Sequence, residues 1–158
     1  MKFTPGQIRD IVGISAETFR HWKRVLLPLE GRNGYQPCFT HGDILAMGIV
    51  KSVVEGAAVR VGALTDIADD LFALCNEISW TALERSVFTI DLTQRSVVRD
   101  AENLILRPTN AVIVIPCRPI VEQLRERLLA AASGDVQGQL NFPPTPVTAT
   151  RSGTANRR

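Results

Sequence analysis

Residues 13–24, Gly13-Ile14-Ser15-Ala16-Glu17-Thr18-Phe19-Arg20-His21-Trp22-Lys23-Arg24, run from a turn signal into a cluster of cations around a tryptophan. Glycine stops a helix because it adopts the left-handed conformation at no steric cost, and Ser15 is then placed to cap the next helix. Phe19 and Trp22 are three residues apart and share the inner side of that helix. Ala16, Glu17, Arg20, Lys23 and Arg24 project on its other faces. Upstream, Thr4-Pro5 reads as an N-cap followed by proline at the first helical position, with Ile8, Ile11 and Val12 forming one apolar face. Helix, glycine-containing turn and helix make a helix-turn-helix, whose second helix commonly enters the DNA major groove.

Downstream, Pro28 and the run Gly31-Arg32-Asn33-Gly34 break the chain. Asn-Gly favours the positive φ values of tight two-residue turns, so residues 32–35 have hairpin chemistry. Thr40 and Asp43 form a capping-box pattern, with aspartate in place of glutamate. They open a third helix that runs to about Glu55, where Gly56 ends it.

Composition narrows the function classes. A chain of 158 residues buries one ordinary core with room for a small second unit. It has no uninterrupted apolar run of about 18 residues, so no membrane span is expected. The opening MKFTPGQIRD lacks the apolar centre of a secretory signal. Cys38, Cys75 and Cys117 are widely separated and odd in number, which suits reduced thiols in a cytoplasm better than a disulfide frame. Their spacing offers no metal site, and no cofactor is implied. Net charge is +2, but residues 1–60 carry eight lysines and arginines against five acids, and residues 61–132 seven against ten. A basic head on an acidic middle hints at a polyanion partner for the head.

A further helix is expected from Leu64 to about Trp80. Leu64, Ile67, Leu71, Leu74 and Ile78 are spaced 3-4-3-4, the pattern of a dimer seam, though a helix packing on its own domain has the same period. From Ser86 the period becomes two: Val87, Phe88, Ile90 and Leu92, then Val97 and Val98, read as a hairpin around Thr93-Gln94-Arg95. Ala111–Ile115, "AVIVI", reads as a buried strand, and Pro119 can start a last helix carrying Ile120, Val121, Leu124, Leu128 and Leu129. Beyond Ala132, serine, glycine, proline, threonine and arginine dominate, a composition expected to be disordered. The expected architecture is mainly α with a small α+β part. It comprises a winged helix-turn-helix (1–63), a connecting or dimerisation helix (64–84), an α+β module (85–132) and a tail (133–158).

On this reading Arg20 addresses a base edge or a phosphate, and Lys23 and Arg24 address phosphates. Ser15 and the free amides of the first turn form a phosphate site. Arg32, Asn33 and Tyr35 form a wing on the adjacent backbone or minor groove. Each has a plainer alternative: Arg20 as a solvated arginine, Trp22 as core and His21 as a surface polar residue.

Phe3-Thr4-Pro5-Gly6-Gln7-Ile8, Gly13-Ile14-Ser15 and Thr18-Phe19-Arg20-His21-Trp22 resemble the N-terminal winged helix of MerR-type regulators. Leu26-Leu27-Pro28, Gly31-Arg32-Asn33-Gly34-Tyr35, Thr40 with Asp43-Ile44, and Glu55-Gly56 continue the resemblance, which covers residues 3–64. It implies a homodimeric, sequence-specific DNA-binding regulator of transcription acting on double-stranded DNA, with RNA polymerase as a further partner. The DNA-facing set it implies is Thr4, Arg9, Ser15, Ala16, Glu17, Thr18, Arg20, His21, Lys23, Arg24, Arg32, Asn33, Tyr35 and Gln36. Gln36 stands where the family has a wing arginine, Arg9 where it has alanine, and His21-Trp22-Lys23 replaces a tyrosine pair and glutamate. Excisionase- or small-terminase-like architectural proteins share related winged helices and are the alternative.

The rest of the chain has no nucleophile elbow, phosphate loop or acid-base constellation, so catalysis is not expected. Asp91, Asp100 and Glu102 read as a solvated face. In the tail, Gln137-Gly138-Gln139-Leu140-Asn141-Phe142 resembles peptides that bind the bacterial replication sliding clamp, with Gln137, Leu140 and Phe142 as anchors. A linker, or a segment folded over its own domain, would read the same.

Overall fold

Local capping chemistry sets the first helices. In α1 (Pro5–Val12) the Thr4 hydroxyl accepts the Gln7 N–H at 3.2 Å, and Gln7 Oε1 accepts the Thr4 N–H at 2.9 Å, a reciprocal capping box. Gly13 closes the helix at φ 72°, in the left-handed region, and its N–H donates to the Arg9 carbonyl. Ser15 Oγ then accepts the Thr18 N–H at 3.0 Å and starts α2 (Ala16–Val25). The computed structural model describes residues 2–32, 36–101 and 110–134.

After α2, a 3-10 turn at Leu27–Leu29 leads into the 30–40 loop. Its far end is tied back by an antiparallel bridge between Phe3 and Phe39, which exchange an N–H···O bond at 2.8 Å. α3 (His41–Gly56) follows, capped by Thr40 and Asp43 in the second capping box. It is the central helix: every residue from Gly42 to Val50 is buried, as is Val53. α1, α4 and α6 all pack against it. A helix apolar on all sides is stable only when surrounded, and here its neighbours surround it.

The expected helix from Leu64 to Trp80 is divided. Residues Val61–Ile67 form a 3-10 helix, α4 spans Ala68–Glu77, and Ser79 caps a short α5 (Trp80–Leu83). The expected seam faces inward. Leu64, Ile67 and Leu71 are each 1% exposed within this chain's own core, and Leu74 and Ile78 are half-buried against it. An apolar period reports that one face is covered, not by what, and the cover here is the chain itself. A dimer seam would need those side chains free in the single chain.

β1 (Ser86–Asp91) lies between β2 (Ser96–Ala101) and β3 (Ile113–Pro116), antiparallel to both. Phe88, Ile90, Val97 and Ile115 face the helices. The β1–β2 turn is closed by Asp91, whose carboxylate accepts the Gln94 and Thr93 N–H groups at 2.8 and 2.9 Å. Those bonds, the one from Gln94 foremost, hold its carboxyl below the usual carboxylate range. α6 (Cys117–Gly134) begins two residues before Pro119 and crosses α3 and α1. Its Val121 and Leu124 join Ile8, Ile11, Leu45 and Phe88 in one hydrophobic cluster. Helices and sheet therefore share one core across the expected segment boundaries. Among the described residues, no helix is long and apolar enough to cross a membrane.

Candidate nucleic-acid interface

Phe19 and Trp22, 8% and 3% exposed, fasten α2 to the core. Phe19 meets the Phe39 ring edge-on at 6.0 Å between centroids. With that side committed, Ala16, Glu17, Arg20, His21 and Arg24 are all exposed on the outer side. Among the described residues, no hydrogen bond or ion pair engages Arg20, His21 or Arg24. An arginine held on a rigid helix with five unused donors is suited to a guanine edge or a phosphate. Arg24 shares a cleft of about 420 Å³ with Glu30, Asp66 and Asp69, so acids oppose its charge. Glu17 stands one turn before Arg20 and suits the positive end of the helix.

Several other expected contacts are occupied within the fold. The Thr4 and Ser15 hydroxyls are N-caps, and Thr18 Oγ1 lies 2.8 Å from Ser15 Oγ. Arg9 is half-buried with its Nε 3.6 Å from Asp10 Oδ1. Lys23 donates from Nζ to the Arg32 carbonyl at 2.9 Å and lies over the Phe19 ring, bracing α2 against the 30–40 loop. Arg32, expected as a phosphate contact of the wing, is turned to Asp43 in an ion pair and stacked over Phe39. Asp43 is 1% exposed, and its carboxylate also accepts the Thr40 N–H and the Asn76 side-chain amide. A buried carboxylate needs such partners, and they claim the arginine. Gln36 is exposed. Asn33 and Tyr35, like Gln137, Leu140 and Phe142 of the tail motif, lie outside the described residues.

The turn between α1 and α2 is held by two cations that the sequence reading missed. Lys51 of α3 donates to the Val12 and Gly13 carbonyls at 3.3 and 3.0 Å. Arg127 of α6 reaches the Ile11 carbonyl in a long 3.5 Å bond, and its guanidinium occupies the space a side chain at position 13 would need. Cations at a helix C-terminus satisfy its orphan carbonyls and complement its dipole. No local signal could have revealed Arg127, which is 116 residues from Ile11.

The three cysteines are free thiols. Burial pushes the Cys117 thiol up to about 12 and raises Cys75 further, so neither is a thiolate near neutrality. Burial lowers His41, which packs edge-on against Phe3 and Trp80. Comparison with models of known protein families gives no match, and comparison with curated proteins gives none either.

Proposed function

We propose that the protein is a sequence-specific DNA-binding regulator of transcription that reads double-stranded DNA with α2. The observation that carries this reading is the outer side of that helix. There, Arg20, His21 and Arg24 are exposed, with no hydrogen bond or ion pair among the described residues, on an element fixed by Phe19, Trp22 and two braced turns. The resemblance of residues 3–64 to the MerR-type winged helix supports the same assignment. Arg20 is the base-reading or phosphate-contacting residue, with His21 and Arg24 beside it. Lys23 and Arg32 act as structural braces rather than as contacts.

Fragments selected from genomic DNA by the purified protein would supply the site for a binding titration. Arg20→Ala should then lose about 1–3 kcal/mol of binding and relax preference at one position per site, with unchanged thermal unfolding. Wild-type affinity should fall steeply with salt, as counterions released from phosphates require. Unchanged affinity and preference in Arg20→Ala would remove α2 as the reading helix.

A second reading, an excisionase- or small-terminase-like architectural protein, is favoured by the inward-facing Leu64–Ile67–Leu71 face, which is covered within the chain rather than open to a second copy. A homodimer would have to use another surface. The same titration separates the two: a two-fold symmetric site bound by two chains supports the regulator, and strong bending of an asymmetric site supports the architectural protein.

A further inference from the structure

Arg99 is an arginine on the wrong side of a sheet. Its register partners are Phe88, and through Phe88 Ile115, both of which face the core. Its side chain is 23% exposed, and among the described residues the one acid in ion-pair range is Glu77, 3.9 Å from Nη2 and itself more than half exposed. Its Nε–H is buried and has no hydrogen-bond partner. A guanidinium on the core face of a sheet, with its described acid 3.9 Å away and itself exposed, is incompletely paired, which favours a further anion where the group can be reached.

Arg99 lines a cleft of about 600 Å³ between α5 and β2, a volume that suits a small organic molecule. Arg85, just after α5, lines the same cleft; it is exposed, and its side chain is engaged by no described hydrogen bond or ion pair. Thr81 and Ser79 bring hydroxyls to the cleft, and Asp100 brings one carboxylate. We propose that this cleft binds a small molecule through a carboxylate or phosphate group held by Arg99 and Arg85. Two guanidiniums recognise a planar or tetrahedral oxyanion with paired N–H donors, which gives both charge and geometry. Asp100 adds an acceptor for a ligand whose body also carries hydroxyl or amine donors. The site is separate from the outer side of α2 and does not depend on the DNA reading.

The test uses the full chain titrated with inorganic phosphate and with glycolate at constant ionic strength, followed by calorimetry and thermal unfolding. One ion per chain should bind saturably and raise the unfolding midpoint. Arg85→Gln, an exposed change with no structural contact to lose, should weaken binding by about tenfold or more, as should Arg99→Lys. An Arg20→Ala/Arg24→Ala variant should bind as wild type. Absence of saturable binding for both probes, or undiminished binding by Arg85→Gln, would overturn the proposal. Loss of binding in the Arg20/Arg24 variant alone would also overturn it, by placing the anion on α2, while leaving the DNA assignment standing.

Discussion

Asp43→Ala should lower folding stability by about 3 kcal/mol, among the largest effects of any single change in the chain. The buried carboxylate ends three obligations at once: the Thr40 N–H at the start of α3, the Asn76 amide at the end of α4, and the Arg32 guanidinium. Arg32 is about one-third exposed, so solvent screens part of the charge pairing. The loss falls mainly on the cap, on the Thr40 N–H left without its acceptor and on the Asn76 amide, which keeps only the Phe72 carbonyl. Asp43→Asn keeps an acceptor oxygen and should cost clearly less. Urea denaturation with an unchanged m-value would measure both. A loss below about 1 kcal/mol in Asp43→Ala would mean that water replaces all three partners.

Gly42→Ala should also destabilise, by about 1–3 kcal/mol, although alanine is ordinarily the better helix residue by about 1 kcal/mol. The reason is steric. A Cβ on Gly42 would stand 2.6 Å from the Cys75 backbone carbonyl and closer still to the Asn76 side-chain oxygen. Asn76 could swing away, but only by leaving Asp43, and the carbonyl belongs to the body of α4. The glycine therefore sets how closely α3 and α4 approach. A raised unfolding midpoint in Gly42→Ala would refute this account of the contact.

What was legible in the sequence was chiefly what is settled within a few residues. Thr4, Ser15 and the Thr40–Asp43 pair cap helices through contacts three residues long, and the structure has each of them. The same holds for the left-handed Gly13 and for the β1–β2 hairpin, since turn chemistry is local. Leu64, Ile67 and Leu71 show the limit: their spacing was read correctly, but their cover comes from segments far along the chain. The pairing of Arg32 was not legible for a related reason. Its partner Asp43 was recognised as a cap, but nothing local says that a cap will be buried and draw a second charge. Of α2, the inward pair Phe19 and Trp22 and the exposure of Arg20 followed from helical period alone. Lys51 and Arg127 come from distant helices, and Arg99 breaks the alternation that strand reading relies on.

The clasp of Lys51 and Arg127 on the α1–α2 turn bears on how the head can be used. In many modular proteins a DNA-reading head is a portable cassette that folds after its neighbours are removed. Here Ile8 and Ile11 share their core with Val121 and Leu124, and the turn's carbonyls are answered from α3 and α6. A fragment ending near residue 63 would expose that apolar face and leave part of the turn unanswered. The head is therefore not a transplantable part. The base of α2 is joined to the sheet and α6 by a shared core and two cations, without an intervening linker.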